Sequence, residues 1–319
     1  MKILVLNSLL KEKHKKVILD AAEKINAKAC FANTEDEVEE DFKDAEVIYG
    51  FGMKIAKESK DLKWLAVPSA GVDYLMHDDA FANKDCILTN SAGAYGVTIA
   101  EHIVAVSLMM MRGLDHAYSE TLKGNWSSPI PQKSFKDARI TVLGTGDIGC
   151  EFAKRARAFE PASITGICKS GKCEERSFDS IHKVDELDSI LPKTDLLVMC
   201  LPGTPETENI LSKERIKLLP KDAYVVNVGR GSAIDEDALA DSLDEKRLAG
   251  AALDVFKNEP LPKESRLWKT KNLIITPHVA GNLTLEHTLD KNVEMFIDNL
   301  LCYANGLEMK HVIDRNKGY

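Results

Sequence analysis

Two kinds of segment alternate along the chain. Short runs rich in Ile, Leu and Val end in Gly, Pro, Asn or Ser: KILVLNS, AEVIYGFG, LKWLAVPSAG and CILTNSAG. Longer amphipathic stretches carrying Lys and Glu lie between them. A near-continuous apolar run is what a strand buried on both faces requires, and the amphipathic stretch that follows is the helix covering the sheet. The pattern therefore predicts an α/β fold on parallel sheets. It changes after Asn90. Gly93 to Met111 reads as one long helix, polar near its start (Glu101, His102) and apolar afterwards, and residues 112–138 form a mixed segment holding Trp126, Pro129 and Pro131. A second β-α series follows, with strands predicted at 140–143, 163–168, 195–201, 223–228, 249–255 and 272–276. Six strands with intervening helices make a complete doubly wound nucleotide-binding domain.

From about residue 283 the apolar positions Leu285, Leu289, Val293, Phe296 and Leu300 share one helical face. This tail has no sheet of its own, so it is expected to pack back on the first domain. The predicted organisation is discontinuous: residues 1–92 plus 283–319 form a flavodoxin-like doubly wound domain, and residues 93–282 form a Rossmann domain inserted in it. A length of 319 residues suits two domains.

Charge and composition remove several function classes. Net charge is −8, from 42 basic and 50 acidic residues, and the densest basic run is KEKHKK at 11–16, so no nucleic-acid partner is expected. The apolar run Ile3 to Leu6 is too short for a signal-peptide core, and Ile103 to Met111 falls far short of a membrane span, so no membrane partner is expected either. The seven cysteines (30, 86, 150, 168, 173, 200, 302) contain no C-x-x-C pair. Neither a disulfide framework nor a metal site is expected, and a reducing, cytoplasmic compartment fits.

The chemistry begins at RITVLGTGDIG (139–149), a strand ending in G-x-G-x-x-G and followed by the helical CEFAKRARAF. Gly144 permits the tight turn, Gly146 lets the backbone approach a pyrophosphate, and Gly149 lets helix and strand close up. Amides at the helix start, around Thr145, Asp147 and Ile148, then hold the phosphates. An NAD site places Asp or Glu at the end of the next strand, to accept from the ribose hydroxyls. Here that strand is SITGIC (163–168), followed by Lys169, Ser170, Gly171 and Lys172. Cys168, Lys169 and Ser170 would tolerate or attract a 2′-phosphate, so NADP is preferred over NAD.

Three further segments close later strands: VNVGRG (226–231), LDVFKNEPL (253–261) and TPHVAG (276–281). They contribute Arg230, a carboxylate and His278, one from each strand end, where an open α/β sheet binds its ligands.

With these segments in view, the chain resembles the D-isomer-specific 2-hydroxyacid dehydrogenases. The resemblance runs through SAGVD (69–73), AEH (100–102), the glycine loop, CLPGTPET (200–207) and the three loops above. It implies that Arg230, Glu259 and His278 are catalytic. His278 would protonate the substrate carbonyl oxygen as hydride arrives, Glu259 would hold the far ring nitrogen, and Arg230 would bind the substrate carboxylate. Backbone groups of Ser69, Ala70 and Gly71 would complete that carboxylate cradle. Asp254 would meet the nicotinamide carboxamide, with Cys200, Leu201, Pro202, Thr207, Val228 and Gly281 also along the nucleotide. The family often has His where this chain has Cys200, and its acidic ribose residue is replaced by Cys168.

The resemblance implies reduction of a small 2-keto acid, glyoxylate/hydroxypyruvate-like or branched-chain. For the side-group pocket the candidates are Gly50 to Met53 and Trp126, with Lys54 as the nearby cation. The chain stops at Tyr319, without the extra domain of long 3-phosphoglycerate dehydrogenases, which weakens that alternative. A cofactor-sensing binding protein is the alternative of another class. A short-chain reductase is dismissed because none of the seven tyrosines has Lys four residues on. In the resembled family the region of the long helix forms a two-fold dimer, so a homodimer is expected, although its Val104-Leu108-Met111 stripe also suits plain core.

Overall fold

The computed structural model describes residues 1–126 and 131–315, so Pro129 lies outside the described residues. By internal packing the chain divides into two units, Met1–Tyr95 with Asn282–Tyr319, and Gly96–Gly281.

The first unit is a five-stranded parallel sheet: β1 (Lys2–Leu6), β2 (Lys28–Ala32), β3 (Val47–Gly50), β4 (Trp64–Ala66) and β5 (Ile87–Thr89). The order is β2-β1-β3-β4-β5, the flavodoxin-like arrangement, with the short helix α2 (Met53–Glu58) between β3 and β4 in the chain. Central strands are apolar without alternation because both faces are covered: Ile3, Leu4, Val47, Ile48, Trp64 and Leu65 are all fully buried. Helix α1 (Glu12–Lys24) and the C-terminal helix Glu286–Ala304 pack together over one face, where Leu289, Val293, Phe296 and Leu300 join Ile3, Val5 and Ile18 in one core. Phe296 stacks on Tyr49 with ring centroids 4.3 Å apart and lies 5.5 Å from Trp64. On the same helix buried Asn292 donates to the Pro68 carbonyl (2.9 Å) and accepts from the Tyr49 hydroxyl (2.8 Å). The tail thus returns to the first sheet. Leu285 is the residue capping the helix and stays exposed. Beyond the helix, Val312 bridges antiparallel to Thr89, a contact that no periodicity announced.

The second unit opens with α3 (Gly96–Met111) and α4 (Leu114–Leu122). The helix begins three residues later than expected because Gly93 sits at φ 103°, outside helical space. A seven-stranded parallel sheet follows: β6 (Arg139–Leu143), β7 (Ser163–Cys168), β8 (Ser180–Lys183), β9 (Leu196–Met199), β10 (Tyr224–Asn227), β11 (Gly250–Leu253) and β12 (Leu273–Ile275). Its order is β12-β11-β10-β9-β6-β7-β8, a doubly wound sheet whose direction of growth reverses between β6 and β9. Six strands were expected in this unit, and β8 is the addition. Its sequence, SIHK, is polar and only half-buried, because an edge strand has a partner on one side alone and needs no apolar run.

Among the described residues no single helix is long and apolar enough to cross a membrane. Helices α3 and α4 in succession have the composition but are bent by 71°. Their roles differ: α3 buries nine of its residues in this unit's core, whereas α4 buries none.

Because one ring joins the C-terminal helix to Tyr49 and Trp64, Phe296→Ala should cost about 3–5 kcal/mol. Denaturant unfolding of the whole chain measures it, and a loss below about 1 kcal/mol would mean that the helix is held by other contacts.

Candidate active site

The glycine loop lies at the point where the second sheet reverses direction, with β6 leading into α5 (Asp147–Arg157). Gly144 adopts φ 104°, and a Cβ there would stand 2.8 Å from the Cys200 carbonyl oxygen. At Gly149 a Cβ would meet the Gly144 carbonyl oxygen at 2.1 Å, so only glycine lets the helix sit on its own loop. Gly146 is different: nothing lies within 4 Å of where its Cβ would be. That open ground before a helix N-terminus is a cradle that a phosphate group fits. Asp147 and Gly146 are exposed, with Thr145 and Ile148 partly so.

The end of β7 lies beside this cradle. The Cys168 thiol contacts the Ser170 hydroxyl at 3.5 Å, and Ser170 closes a small turn by accepting from the Lys172 amide at 3.2 Å. Burial pushes the Cys168 thiol up, but hydrogen bonds with Ser170, Thr145 and the Lys172 and Gly171 backbone outweigh it, and the net shift is downward. Lys169 and Ser170 are exposed. The sequence reading did not single out Cys173. Its sulfur lies 3.6 Å from that of Cys150, and both lean on the Thr145 carbonyl, at 3.8 and 3.3 Å.

Beyond β9 the chain turns through residues 200–207. Thr207 closes the turn on itself, its hydroxyl donating to the Pro202 carbonyl (2.7 Å) and accepting from the Thr204 amide (2.9 Å). Leu201 is buried and Pro202 exposed. Burial pushes the Cys200 thiol up to about 12, so it stays neutral.

The loops that follow β11 and β12 meet at one histidine. His278 Nδ1 lies 2.6 Å from Glu259 Oε2, and the other Glu259 oxygen accepts from the Phe256 amide at 2.8 Å. A carboxylate only accepts, so Nδ1 carries the proton in that contact and Nε2 is left for other work. His278 itself holds φ 53°, the left-handed region, and half of its side chain is exposed. An apolar cavity of about 520 Å³ adjoins the pair, lined by Phe256, Leu261, Trp268, Ile275 and Pro277 among others. Arg230 follows β10; its stem lies 3.2 Å from where a Gly203 Cβ would be, and its Nη1 donates to the Gly229 carbonyl at 2.8 Å. Val228 is buried, its amide donating to the Met199 carbonyl at 3.1 Å. Asp254 is 2% exposed and takes hydrogen bonds from the Thr276 hydroxyl (2.6 Å) and the Val279 and Ala280 amides (2.9 Å each), just before Gly281. His102 of α3 reaches the same Thr276 hydroxyl at 3.4 Å, and burial lowers its pKa, with Asp254 opposing.

In the first unit, the Ser69 hydroxyl donates to the Gly71 carbonyl (2.8 Å) and contacts the Tyr74 hydroxyl (3.0 Å). Asn90, a residue that sequence reasoning passed over, donates to the Ala70 carbonyl at 2.6 Å. Phe51 and Met53 are both exposed beside Gly52, and Lys54 reaches Asp36 at 3.4 Å. Trp126 is fully exposed, so among the described residues it forms no pocket wall.

The model of the D-isomer specific 2-hydroxyacid dehydrogenase NAD binding domain matches residues 104–280, more than half of the chain. The chain belongs to this family. D-isomer specific 2-hydroxyacid dehydrogenases are NAD(P)-dependent oxidoreductases acting on CH–OH donors. Glyoxylate/hydroxypyruvate reductase B of Pectobacterium carotovorum is 30% identical over 271 residues, 82% of this chain and 83% of that protein. Among solved structures, a D-isomer specific 2-hydroxyacid dehydrogenase family protein from Aeromonas salmonicida superposes with a TM-score of 0.87 at 28% identity, covering 98% of this chain and 99% of that one. A D-isomer specific 2-hydroxyacid dehydrogenase from Xanthobacter autotrophicus, in complex with NADPH and MES, gives 0.83 at 26% identity, covering 100% of this chain and 99% of that one. Both parallel sheets of the present chain match this dehydrogenase fold.

The glycines of this dehydrogenase separate two effects. Gly149→Ala should destabilise the protein by about 1–3 kcal/mol through its clash. Gly146→Ala, facing open space, should leave stability within about 0.5 kcal/mol while weakening nucleotide binding at least tenfold. Thermal unfolding alongside a nucleotide titration tests both; equal destabilisation by the two changes would contradict the assignment.

Proposed function

We propose that this dehydrogenase reduces a small 2-keto acid to the D-2-hydroxy acid with NADPH, NADH being the weaker cofactor. The observation that carries the reading is the 2.6 Å Glu259–His278 contact; Arg230 follows β10, the strand beside β11. Bound nicotinamide nucleotide supplies the hydride. His278 gives the Nε2 proton to the substrate carbonyl oxygen and takes it back in the reverse direction. Glu259 holds the ring in the tautomer and orientation this requires, and stabilises the imidazolium. Arg230 binds the substrate carboxylate through a planar fork that Lys lacks.

Gly144, Thr145, Gly146, Asp147 and Ile148 hold the pyrophosphate, and Cys168, Lys169 and Ser170 receive the 2′-phosphate. Cys200, Leu201, Pro202, Thr207, Val228 and Gly281 run along the nucleotide. NADPH in the similar Xanthobacter autotrophicus structure supports the cofactor choice, as does the absence of a carboxylate at Cys168, Lys169 and Ser170. The name of the Pectobacterium carotovorum relative supports glyoxylate or hydroxypyruvate as the substrate class, and the exposed Phe51 and Met53 suit a small alkyl group equally well. Free cysteines throughout the chain suit the cytoplasm.

A homodimer is part of the reading. Helix α4 shows Leu114, Tyr118 and Leu122 at four-residue spacing, exposed by 53%, 62% and 72%, with no buried residue on any side. A second copy is the cover we propose for this stripe. Light scattering at micromolar concentration should give twice the chain mass, and Tyr118→Glu should halve it; a stable single-chain particle from the unaltered protein would remove the claim.

The deciding experiment is oxidation of NADPH and NADH against glyoxylate, hydroxypyruvate, pyruvate, 2-ketoisocaproate and phenylpyruvate. NADPH is expected to turn over with at least one of them, His278→Gln to lose at least a hundredfold in kcat, and Lys169→Asp to raise KM for NADPH more than for NADH. Full turnover by His278→Gln would end the acid–base role, and equal effects of Lys169→Asp on both cofactors would end the 2′-phosphate role. Nucleotide binding without turnover on any acid would favour a cofactor sensor.

A further inference from the structure

All seven cysteines are free thiols, and the sulfurs of Cys150 and Cys173 touch at 3.6 Å. Their meeting is built into the fold. Cys150, Lys154 and Arg157 stand at i, i+4 and i+7 on α5 and so share one face. Each meets the segment that returns from β7 towards β8. Lys154 reaches Glu175 at 3.4 Å, and Arg157 donates to the Ser177 carbonyl (2.6 Å) and to Asp179 (2.8 Å). The cysteine pair is the rung of this ladder nearest the glycine loop. Both thiols lean on the Thr145 carbonyl, and Thr145 is itself seated against β7, where a Cβ at Gly166 would stand 2.6 Å from its methyl group.

Both cysteines are half-buried, which leaves room for a small oxidant to reach them and none for a bulky one. Burial, Cys173 and Glu175 push the Cys150 thiol up, with Lys154 opposing, so Cys150 keeps its proton. Cys173 lies outside the helix and is the sulfur that reacts first.

We propose that Cys150 and Cys173 are a thiol pair that a hydroperoxide oxidises reversibly to a disulfide, drawing the turn after β7 out of place. The Cys173 sulfur attacks one peroxide oxygen, the O–O bond breaks, and the other oxygen leaves as water with the thiol proton. The Cys150 sulfur then attacks the sulfenic Cys173, the S–O bond breaks, and that oxygen leaves as a second water with the Cys150 proton. The two thiols lose two electrons and the peroxide gains them. A dithiol reverses the change by thiol–disulfide exchange, so in a reducing compartment the link is transient.

A disulfide needs sulfurs about 2 Å apart, so the two must close up by about 1.5 Å. Cys173 ends a turn that begins at Cys168 and is tightly closed. The Ser170 hydroxyl accepts from the Lys172 amide and donates to its carbonyl (3.1 Å), and the Cys168 thiol donates to the same carbonyl (3.5 Å). Movement of Cys173 is therefore passed to Lys169 and Ser170. The consequence for NADPH rests on the 2′-phosphate role given to those residues above; the disulfide itself does not.

The test exposes the full chain to hydrogen peroxide, blocks it with iodoacetamide and maps the digest by mass spectrometry. NADPH and NADH are titrated by fluorescence before and after. Oxidation should leave two fewer free thiols than the seven of the reduced chain, with one linked pair, Cys150 to Cys173, that dithiothreitol undoes. NADPH should bind about fivefold more weakly after oxidation and recover on reduction, with NADH within about twofold. Cys173→Ser should give no linked peptide and keep its NADPH affinity through the treatment. Cys150→Ala should leave a sulfenic acid on Cys173 that dimedone traps. A link from Cys168 to either residue, or sulfinic acids without a link, would overturn the site. The expected link with NADPH affinity unchanged, or with both cofactors weakened equally, would overturn the displacement of the turn. Failure of the unaltered, reduced chain to prefer NADPH would instead refute the 2′-phosphate reading. The peptide map then decides the thiol pair by itself: the linked peptide supports it, and its absence overturns it.

Discussion

The constraint on which the reactive end of the second unit depends is a buried carboxylate. An ionised Asp removed from water is costly unless hydrogen-bond donors replace its hydration. At Asp254 the donors come from one short segment, the Thr276 hydroxyl and the Val279 and Ala280 amides. Satisfying that carboxylate therefore means folding residues 276–280 around it. The folding has a local cost: His278 must take a left-handed backbone, unfavourable for a residue with a Cβ by about 1 kcal/mol. Charge-assisted hydrogen bonds of about 1.5–3 kcal/mol each outweigh it. The histidine is held where it is by the demands of a group it does not touch with its side chain.

The same logic repeats across the sheet edge. Parallel strands end with their carbonyls and the next loop's amides at one edge, and any such group that is buried needs a partner. Asn227 supplies both kinds of partner to its loop, and Glu259 uses one oxygen for the Phe256 amide before offering the other to His278. Each candidate side chain thus emerges from a turn held by side-chain-to-backbone hydrogen bonds. A site assembled this way needs little reorganisation when substrate arrives, and polar groups fixed in advance around the developing charge supply much of the rate acceleration in many enzymes.

Sequence made most of this architecture visible because burial on both faces leaves an unmistakable mark. Strands such as KILVL and YVVN are apolar from end to end, and the glycine loop carries its spacing openly. Strand β8 escaped for the opposite reason: SIHK at a sheet edge lacks the two-sided burial that would have marked it. The candidate site was legible as an arginine, a carboxylate and a histidine in three separate loops, since ligand-binding chemistry needs charged groups at strand ends, and the resemblance singled out Glu259 as the carboxylate. Their supports were less legible. Asn90 and Asn227 read as ordinary strand-ending residues, whereas in the fold their amides are spent on the Ala70 and Arg230 carbonyls. Cys173 sits 23 residues from Cys150 in sequence, so their 3.6 Å approach depends on how β7 returns beside α5.

Cys200 shows how the environment settles what a substitution at a familiar position means. At the position where the family resemblance suggests an imidazole, this chain has a thiol that burial drives up to about 12. Such a group stays neutral, and a thiol is only a weak hydrogen-bond donor. Its carbonyl, by contrast, packs against Gly144, where a Cβ would stand 2.8 Å away. The position therefore shapes the glycine loop through its backbone, while its side chain stays small and neutral. On the proposed reading, polar recognition of the adenosine end must then come from the other side of the loop, where Lys169 and Ser170 stand exposed after β7.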